Sequence, residues 1–464
     1  MKAPHFKLAL LVLSSLLVTL QSCSSHSVNQ QYQPQPYVEI VHPEWSRNAT
    51  IYQVNLRQYT QEGTFQAFEA HLPRLKAMGV DILWLMPIHP IGELNRKGSL
   101  GSYYSVKDYF GVNSEHGDKA AFQHLVDKIH ENGMYVILDW VANHSAWDNP
   151  IATAHPDWYI KTKEGNFQST PWRDYDDIID FDYGSPELRK YMTEALVYWV
   201  KEFNIDGYRA DVASFVPIEF WENARRELDR IKPVFMLAES QDRDLHKRSF
   251  DMTYAWQLWD HLHNIAVKGS SLSGLTEGYI AEHVSIWPRN GYRMNHVTNH
   301  DKNSWEGTLE KNFGPALEAA IVLTGTLEGM PMMYSGQEAG LDRPLKFFDK
   351  DPIAWQTHPH EQLYRTLFML KHDQQALWNG KWGGVMERIK NDQMQQVVSF
   401  VRESGSSKVL TIVNYSNQPA DAVLDTRYDT GTYREVFSGK EQVFETQHKI
   451  NFEPWEYQIW VYEP

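Results

Sequence analysis

The chain has 464 residues, 42% of them hydrophobic and 13% aromatic, and a formal net charge of −15. That length and apolar content bury at least one large core and leave room for two or three domains. The acidic balance opposes the basic patches that hold a phosphate backbone, so it argues against nucleic acid and for a neutral or small polar substrate. The 17 Trp residues suit stacking on sugar rings, but for any single one the commoner role is core packing.

Lys2 and Lys7 precede a largely apolar run from Leu8 to Leu20, followed by Gln21, Ser22 and Cys23. The run matches the hydrophobic region of an export signal, and it is too short for a membrane-spanning helix, which needs about 20 residues. Residues 1–22 resemble a bacterial lipoprotein signal, with Cys23 placed as the residue that would carry the lipid. Export, with lipid anchoring at a periplasmic or cell-surface membrane face, is the expected localisation. Cys23 is the only cysteine, which rules out a disulfide within the chain. Residues 23–44 are polar, with Gln30, Gln31, Pro34 and Pro36, and read as a tether.

Beyond the tether the chain alternates. The segment ATIYQVNLRQY (49–59) has strand character, and Phe68, Leu72, Leu75 and Met78 then repeat at helical spacing. GVDILWLMPI (79–88) reads as the next strand, Phe122, Leu125, Val126 and Ile129 as a helix face, and YVILDWVANH (135–144) as a third strand. Leu188, Met192, Leu196, Trp199 and Phe203 mark another helix, followed by strands in IDGYRADVA (205–213) and VFMLAES (234–240). Short runs rich in Val, Ile and Leu between amphipathic helices are what a parallel sheet covered by helices requires, so the fold class is α/β. Residues 142–180 interrupt the alternation with Trp147, Pro150, Pro156, Trp158 and Gly165; so long an irregular segment inside a domain points to function. From 384 to 464, runs such as QVVSFVRES and KVLTIVNYS predict a small antiparallel β domain of sandwich type.

Ionisable residues gather where strands end: Asp139 and His144, Arg209 and Asp211, Glu239, then His300 and Asp301. Carboxylates are costly to bury, so several at the ends of apolar strands call for a chemical explanation. Short blocks in this order resemble the α-amylase family of retaining glycoside hydrolases: DWVANHS (139–145), GYRADVAS (207–214), LAES (237–240), VTNHD (297–301) and GMPMMYSGQEAG (329–340). GSYYSVKDYF (101–110) resembles the family's loop after the second strand.

The resemblance implies a (β/α)₈ barrel over 45–383, with 142–180 inserted after the third strand. It also implies Asp211 as nucleophile, Glu239 as general acid/base and Asp301 as the third carboxylate, which stabilises the charged transition state. Arg209 would pair with Asp211, His144 and His300 would bind sugar hydroxyls, and Tyr104, counted back from Asp108-Tyr109, would stack beneath the sugar at the cleavage point. For Asp139 a structural role, orienting Arg209, is the favoured reading. Retention of configuration needs two carboxyls about 5–5.5 Å apart, one attacking and one protonating the leaving oxygen. Arg209, two residues from Asp211 on one strand and so on the same side, is expected to favour its ionised form; crowding by like charges is expected to raise Glu239.

Two positions depart from the family pattern. Many members follow the nucleophile with Lys-His, where this chain has Ser214 and Phe215, which opens the question of the leaving group. Asn143 is a candidate calcium ligand by resemblance, but calcium takes about six to eight oxygens and one is named, so no metal is expected to be obligatory and no cofactor is required. The expected substrates are α-1,4-linked glucans or maltooligosaccharides, cut by an endo or mixed action. The alternatives are an exo-acting α-glucosidase, a glucosyl or glucan transferase, and a sugar-binding lipoprotein without catalysis; the intact carboxylates argue against the last.

Overall fold

The computed structural model describes residues 37–170 and 174–463. The export signal, Cys23 and the tether up to Pro36 lie outside them. Eight parallel strands close on themselves: β1 (Ile51–Val54), β2 (Ile82–Leu85), β3 (Tyr135–Trp140), β4 (Gly207–Ala210), β5 (Phe235–Ala238), β6 (Met252–Tyr254), β7 (Tyr292–Asn295) and β8 (Met330–Tyr334). Each pairs with its neighbours in chain order, and β1 closes the ring by pairing Ile51 with Ile82 on one side and Met332 on the other. Strands covered on both faces carry mostly apolar side chains, which is why they read as short hydrophobic runs.

The strands are shorter than the sequence suggests. In 49–59 the strand stops at Val54 and a helical turn, Leu56–Tyr59, follows. Asn55 diverts the chain: its side-chain amide donates to the Tyr334 hydroxyl at 2.9 Å and its backbone N–H to Ser335 Oγ at 3.1 Å, pinning the end of β1 to the end of β8. Strand β6, only Met252-Thr253-Tyr254, has too few residues for a periodic signal.

The repeat Phe68, Leu72, Leu75 and Met78 is divided between two short helices, Phe65–Glu69 and Leu72–Ala77, whereas the next two outer helices follow their sequence patterns closely. Lys119–Glu131 starts at Asp118, whose carboxylate accepts the Ala121 N–H at 2.8 Å, and buries Phe122, Leu125, Val126 and Ile129. Pro186–Phe203 starts with Ser185 as cap and Pro186 in the first turn, where its missing N–H costs nothing, and ends on the left-handed Asn204. Its Trp199 meets Phe122 and Phe203 edge-on or tilted at 5.6 and 4.9 Å, so aromatic packing joins successive helices. Within 142–180, His144–Ala146 pairs antiparallel with Ile178–Asp180, so the inserted segment leaves and rejoins the barrel at one point. Among the described residues no helix is long and apolar enough to cross a membrane.

After the barrel, eight strands between Met386 and Glu463 form a six-stranded sheet and a two-stranded one. Leu410, Ile412, Leu424, Tyr433 and Trp460 make a second core between them. Arg402 joins this part to the barrel. Its buried guanidinium donates to the carbonyls of Thr326 and Leu327 at the end of a barrel helix, and to those of Trp378 and Gly384 in the connection. Burial lowers its pKa to about 10 against the charge of the nearby Glu328 carboxylate, while carbonyl dipoles converge on it. Arg402→Met should therefore destabilise the protein by about 3 kcal/mol, since several buried carbonyls lose their donor at once. Urea unfolding of the variant checks this, and an unchanged midpoint would mean that those carbonyls are solvated.

Candidate active site

All eight strands run the same way, so residues at their C-terminal ends share one mouth of the barrel. Arg209 on β4 is at its centre, with a side chain of 0% exposure. One arm, Nη1, donates to Asp139 Oδ1 at 2.8 Å and to Asp211 Oδ1 at 2.9 Å. The other, Nη2, lies 2.9 Å from Glu239 Oε2 in an ion pair outside hydrogen-bond alignment. Nε donates to the Tyr254 hydroxyl at 3.2 Å, and the Trp84 ring lies 5.1 Å from the guanidinium carbon. One cation thus gathers three carboxyls from the ends of β3, β4 and β5.

Asp139 does orient Arg209, and it does more. Its second oxygen accepts from Trp84 Nε1 at 3.0 Å and from the Tyr104 hydroxyl at 3.1 Å. Tyr104 in turn lies 2.7 Å from His300 Nε2, with the two rings near-parallel at 5.4 Å. Gln53 on β1 holds His300 twice: its amide nitrogen is 2.7 Å from Nδ1, and its carbonyl accepts the His300 backbone N–H at 3.3 Å. An amide N–H at Nδ1 leaves the ring proton on Nε2, facing Tyr104. Asp301 joins the group through His300, with Oδ2 3.4 Å from Nε2, and with a side-chain exposure of 42% it stands nearest to solvent.

His144 is buried and hydrogen-bonds to the Tyr104 backbone, while its Nδ1 lies 3.3 Å from Asn143 Nδ2. Asn143 also donates to Asp180 Oδ1 at 3.2 Å, and Thr170 donates to the same oxygen at 2.8 Å. Asn143 and Asp180 offer two side chains toward a shell of about six to eight oxygens. Among the described residues, no group of three or more His, Cys, Asp or Glu is arranged to hold a metal. These donors do not make up a calcium shell.

The turn after β4 carries a strained residue. Val212 has φ +36° and ψ +49°, a left-handed conformation that a β-branched residue rarely adopts. It points its backbone N–H at Glu239 Oε2, 2.7 Å away. Ser214 and Phe215, one turn further on, are both exposed at the mouth.

Burial dominates the electrostatics. It pushes the Asp211 carboxyl well up, and the charge of Glu239 adds to this against the pull of Arg209. Asp139 is raised to about 6 by burial, again against Arg209. Arg209 does pull Asp211 toward its ionised form, as expected, but burial and the charge of Glu239 act against it and are larger. Closely spaced carboxyls such as Asp139 and Asp211 titrate together rather than one by one.

Every residue expected at the site is found at this mouth. Sequence reading missed Gln53, Trp84 and Tyr254. Gln53 did carry a signal, as an amide within an otherwise apolar buried strand, whereas Trp84 and Tyr254 look like ordinary core residues.

Buried histidines set the acid limit. Burial lowers His300 to about 3 and His144 to about 4, well under the ordinary value of about 6.5. The unfolded chain therefore binds protons that the folded site refuses, and stability falls as pH drops from about 6.5 toward 4. The raised acids, Asp139 and Asp211 here and Asp177, Asp180, Asp229, Glu338 and Asp429 elsewhere, contribute in the opposite direction, but His89, His116, His246 and His296 are lowered likewise, and the lowered carboxyls of Asp251 and Glu328 also lose their stabilisation in acid. Thermal melts between pH 7 and 4 should show a falling midpoint; a flat profile would mean that these imidazoles are solvated.

Comparison with known proteins agrees with this geometry. A family model described as alpha amylase, catalytic domain, matches residues 44–382, and one described as maltogenic amylase, C-terminal domain, matches 386–459. Alpha-amylase MalA of Haloarcula japonica is 26% identical over 421 residues, which are 84% of this chain and 60% of that protein. A cyclomaltodextrinase of Geobacillus thermopakistaniensis is 25% identical over 77% of this chain and 63% of its own length. The chain thus spans less than two thirds of these two curated relatives. The crystal structure of a noncanonic maltogenic alpha-amylase, AmyB from Thermotoga neapolitana, superposes with a TM-score of 0.82 at 31% identity, covering 89% of this chain and 98% of that one. A buried arginine gathering carboxyls at the mouth of a closed barrel, and a family model matched across the whole barrel, place this chain in the α-amylase family of glycoside hydrolases.

Proposed function

We propose that the protein cleaves α-1,4-glucosidic bonds in starch-type glucans or maltooligosaccharides with retention of configuration. The observation that carries this reading is the shared guanidinium of Arg209, which holds Asp211 on one arm and Glu239 on the other. The two carboxyls are thereby kept as neighbours at one point of the mouth, as a double displacement requires. The AmyB and cyclomaltodextrinase relatives support the choice of substrate class.

In the first step Asp211 attacks the anomeric carbon, and Glu239 gives its proton to the leaving oxygen as the glycosidic bond breaks. In the second step Glu239 takes a proton from water, the water oxygen bonds to the anomeric carbon, and Asp211 leaves. Between the two, positive charge develops on the sugar ring, where Asp301 and the electron-rich face of Tyr104 favour it. His144 and His300, both neutral, orient hydroxyls without adding to that charge.

Incubation with maltoheptaose should yield oligosaccharides whose new reducing ends are first α, read by proton NMR within the first turnovers. Glucose as the sole early product would sink the endo reading, and β-anomers would sink the mechanism. Asp211→Asn should lower kcat by at least about 10⁴-fold with the fold kept, because the change removes a transition-state bond and is nearly isosteric.

We infer also that the chain is exported and held at a membrane through Cys23, from the charged, apolar and cysteine-terminated order of its first 23 residues. Cys23→Ala should move the protein from the membrane fraction to the soluble fraction of the producing cell; an unchanged distribution would remove the anchor.

A further inference from the structure

Trp305 is 59% exposed, unusual for a side chain of its size, and it is not isolated. Its ring lies 5.2 Å from Phe347 and 5.9 Å from Phe348. Phe347 then lies 6.2 Å from Tyr104 with the two rings only 17° apart, and 6.5 Å from His300 at 27°. An aromatic track thus leads out of the catalytic mouth, from Tyr104 through Phe347 to the open face of Trp305.

The track is built rather than fortuitous. Trp305 follows Asp301 in the loop after β7, and Phe347 is in the loop after β8. Asn303 ties the two loops, accepting the Leu345 N–H at 2.9 Å and donating to the Arg343 carbonyl at 3.0 Å. The loop after β2 holds the far edge, where the Leu100 N–H meets the Phe348 carbonyl at 2.9 Å and Ser99 donates to Asp349. Gly98 has φ +61°, and a Cβ there would come within 2.5 Å of Phe348 Cβ, so this approach needs glycine. Beneath, the fully buried Arg57 donates to the Phe347 carbonyl at 3.3 Å.

We propose that Trp305 is a stacking platform for a glucosyl unit on the glycone side, beyond the sugar that lies on Tyr104. The direction follows from the chemistry of the mouth. Glu239 protonates the leaving oxygen, so the departing chain lies toward the end of β5, while Trp305 is reached from Tyr104, over which the retained sugar lies. A platform there makes the enzyme hold at least two glycone sugars, which favours release of maltose or longer products over glucose. The assignment rests on the proposed function and names the subsite that sets its product length.

The test compares Trp305→Ala and Trp305→Phe with the parent on p-nitrophenyl α-maltotrioside and p-nitrophenyl α-glucoside. The first places three sugars on the glycone side and the second one. In Trp305→Ala the ratio of kcat/KM for the trioside to that for the glucoside should fall about tenfold, and Trp305→Phe should recover most of it. A ratio within about twofold of the parent, or equal losses on both substrates, overturns the platform. Binding of maltohexaose to Asp211→Asn, with and without Trp305→Ala, gives a second readout that needs no turnover, and equal affinities again overturn it. If the parent cleaves neither glycoside nor any glucan, the proposed function fails, while the binding pair still decides on Trp305.

Discussion

The buried guanidinium of Arg209 is the constraint on which the rest of the site depends. A cation with no exposure would be untenable alone, and three carboxyls crowded at 0–12% side-chain exposure would be untenable without it. Each makes the other admissible. The barrel is what allows this: β3, β4 and β5 are neighbours in register, so Asp139 pairs directly across from Arg209, and Asp211 and Glu239 follow their strands by a single residue. Because the strands are covered on every side by apolar packing, no water reaches the guanidinium to soften the arrangement, and the site keeps a strong field before substrate arrives.

Around that ion group a second layer controls protons. Gln53 fixes His300, His300 meets Tyr104, and Tyr104 donates to Asp139, a chain of hydrogen bonds from β1 to β3 across the mouth. Its members are neutral or hold a shared charge, so it orients groups without adding repulsion. The C-terminal part is joined in a different manner, through Arg402 and the carbonyl dipoles that converge on it, with the Glu328 carboxylate nearby.

Much of this was legible in the sequence. Strand cores and helix faces follow from periodicity, as Leu188, Met192, Leu196 and Trp199 illustrate, and the charged strand ends mark the mouth. Boundaries were not legible where a tertiary contact decides them: Asn55 ends β1 because Tyr334 and Ser335, some 280 residues away, bind it. Nor was the electrostatic balance. Arg209 and Asp211 look like a pair in sequence, and only the arrival of Asp139 and Glu239 from other strands shows that the cation is divided. Trp84 and Tyr254 were hidden for a related reason, since an aromatic in a strand gives no sign of which polar atom it will meet. Trp305 and Phe347 come together from two loops 42 positions apart.

The left-handed Val212 bears on how such a site can change over generations. A β-branched residue in that conformation stores about 1–3 kcal/mol of strain, and glycine would release it. Glycine adopts the left-handed region without that cost, so the turn and the N–H that points at Glu239 would stay in place. The strain at Val212 is therefore separable from that hydrogen bond, and selection for robustness alone would remove the one and keep the other.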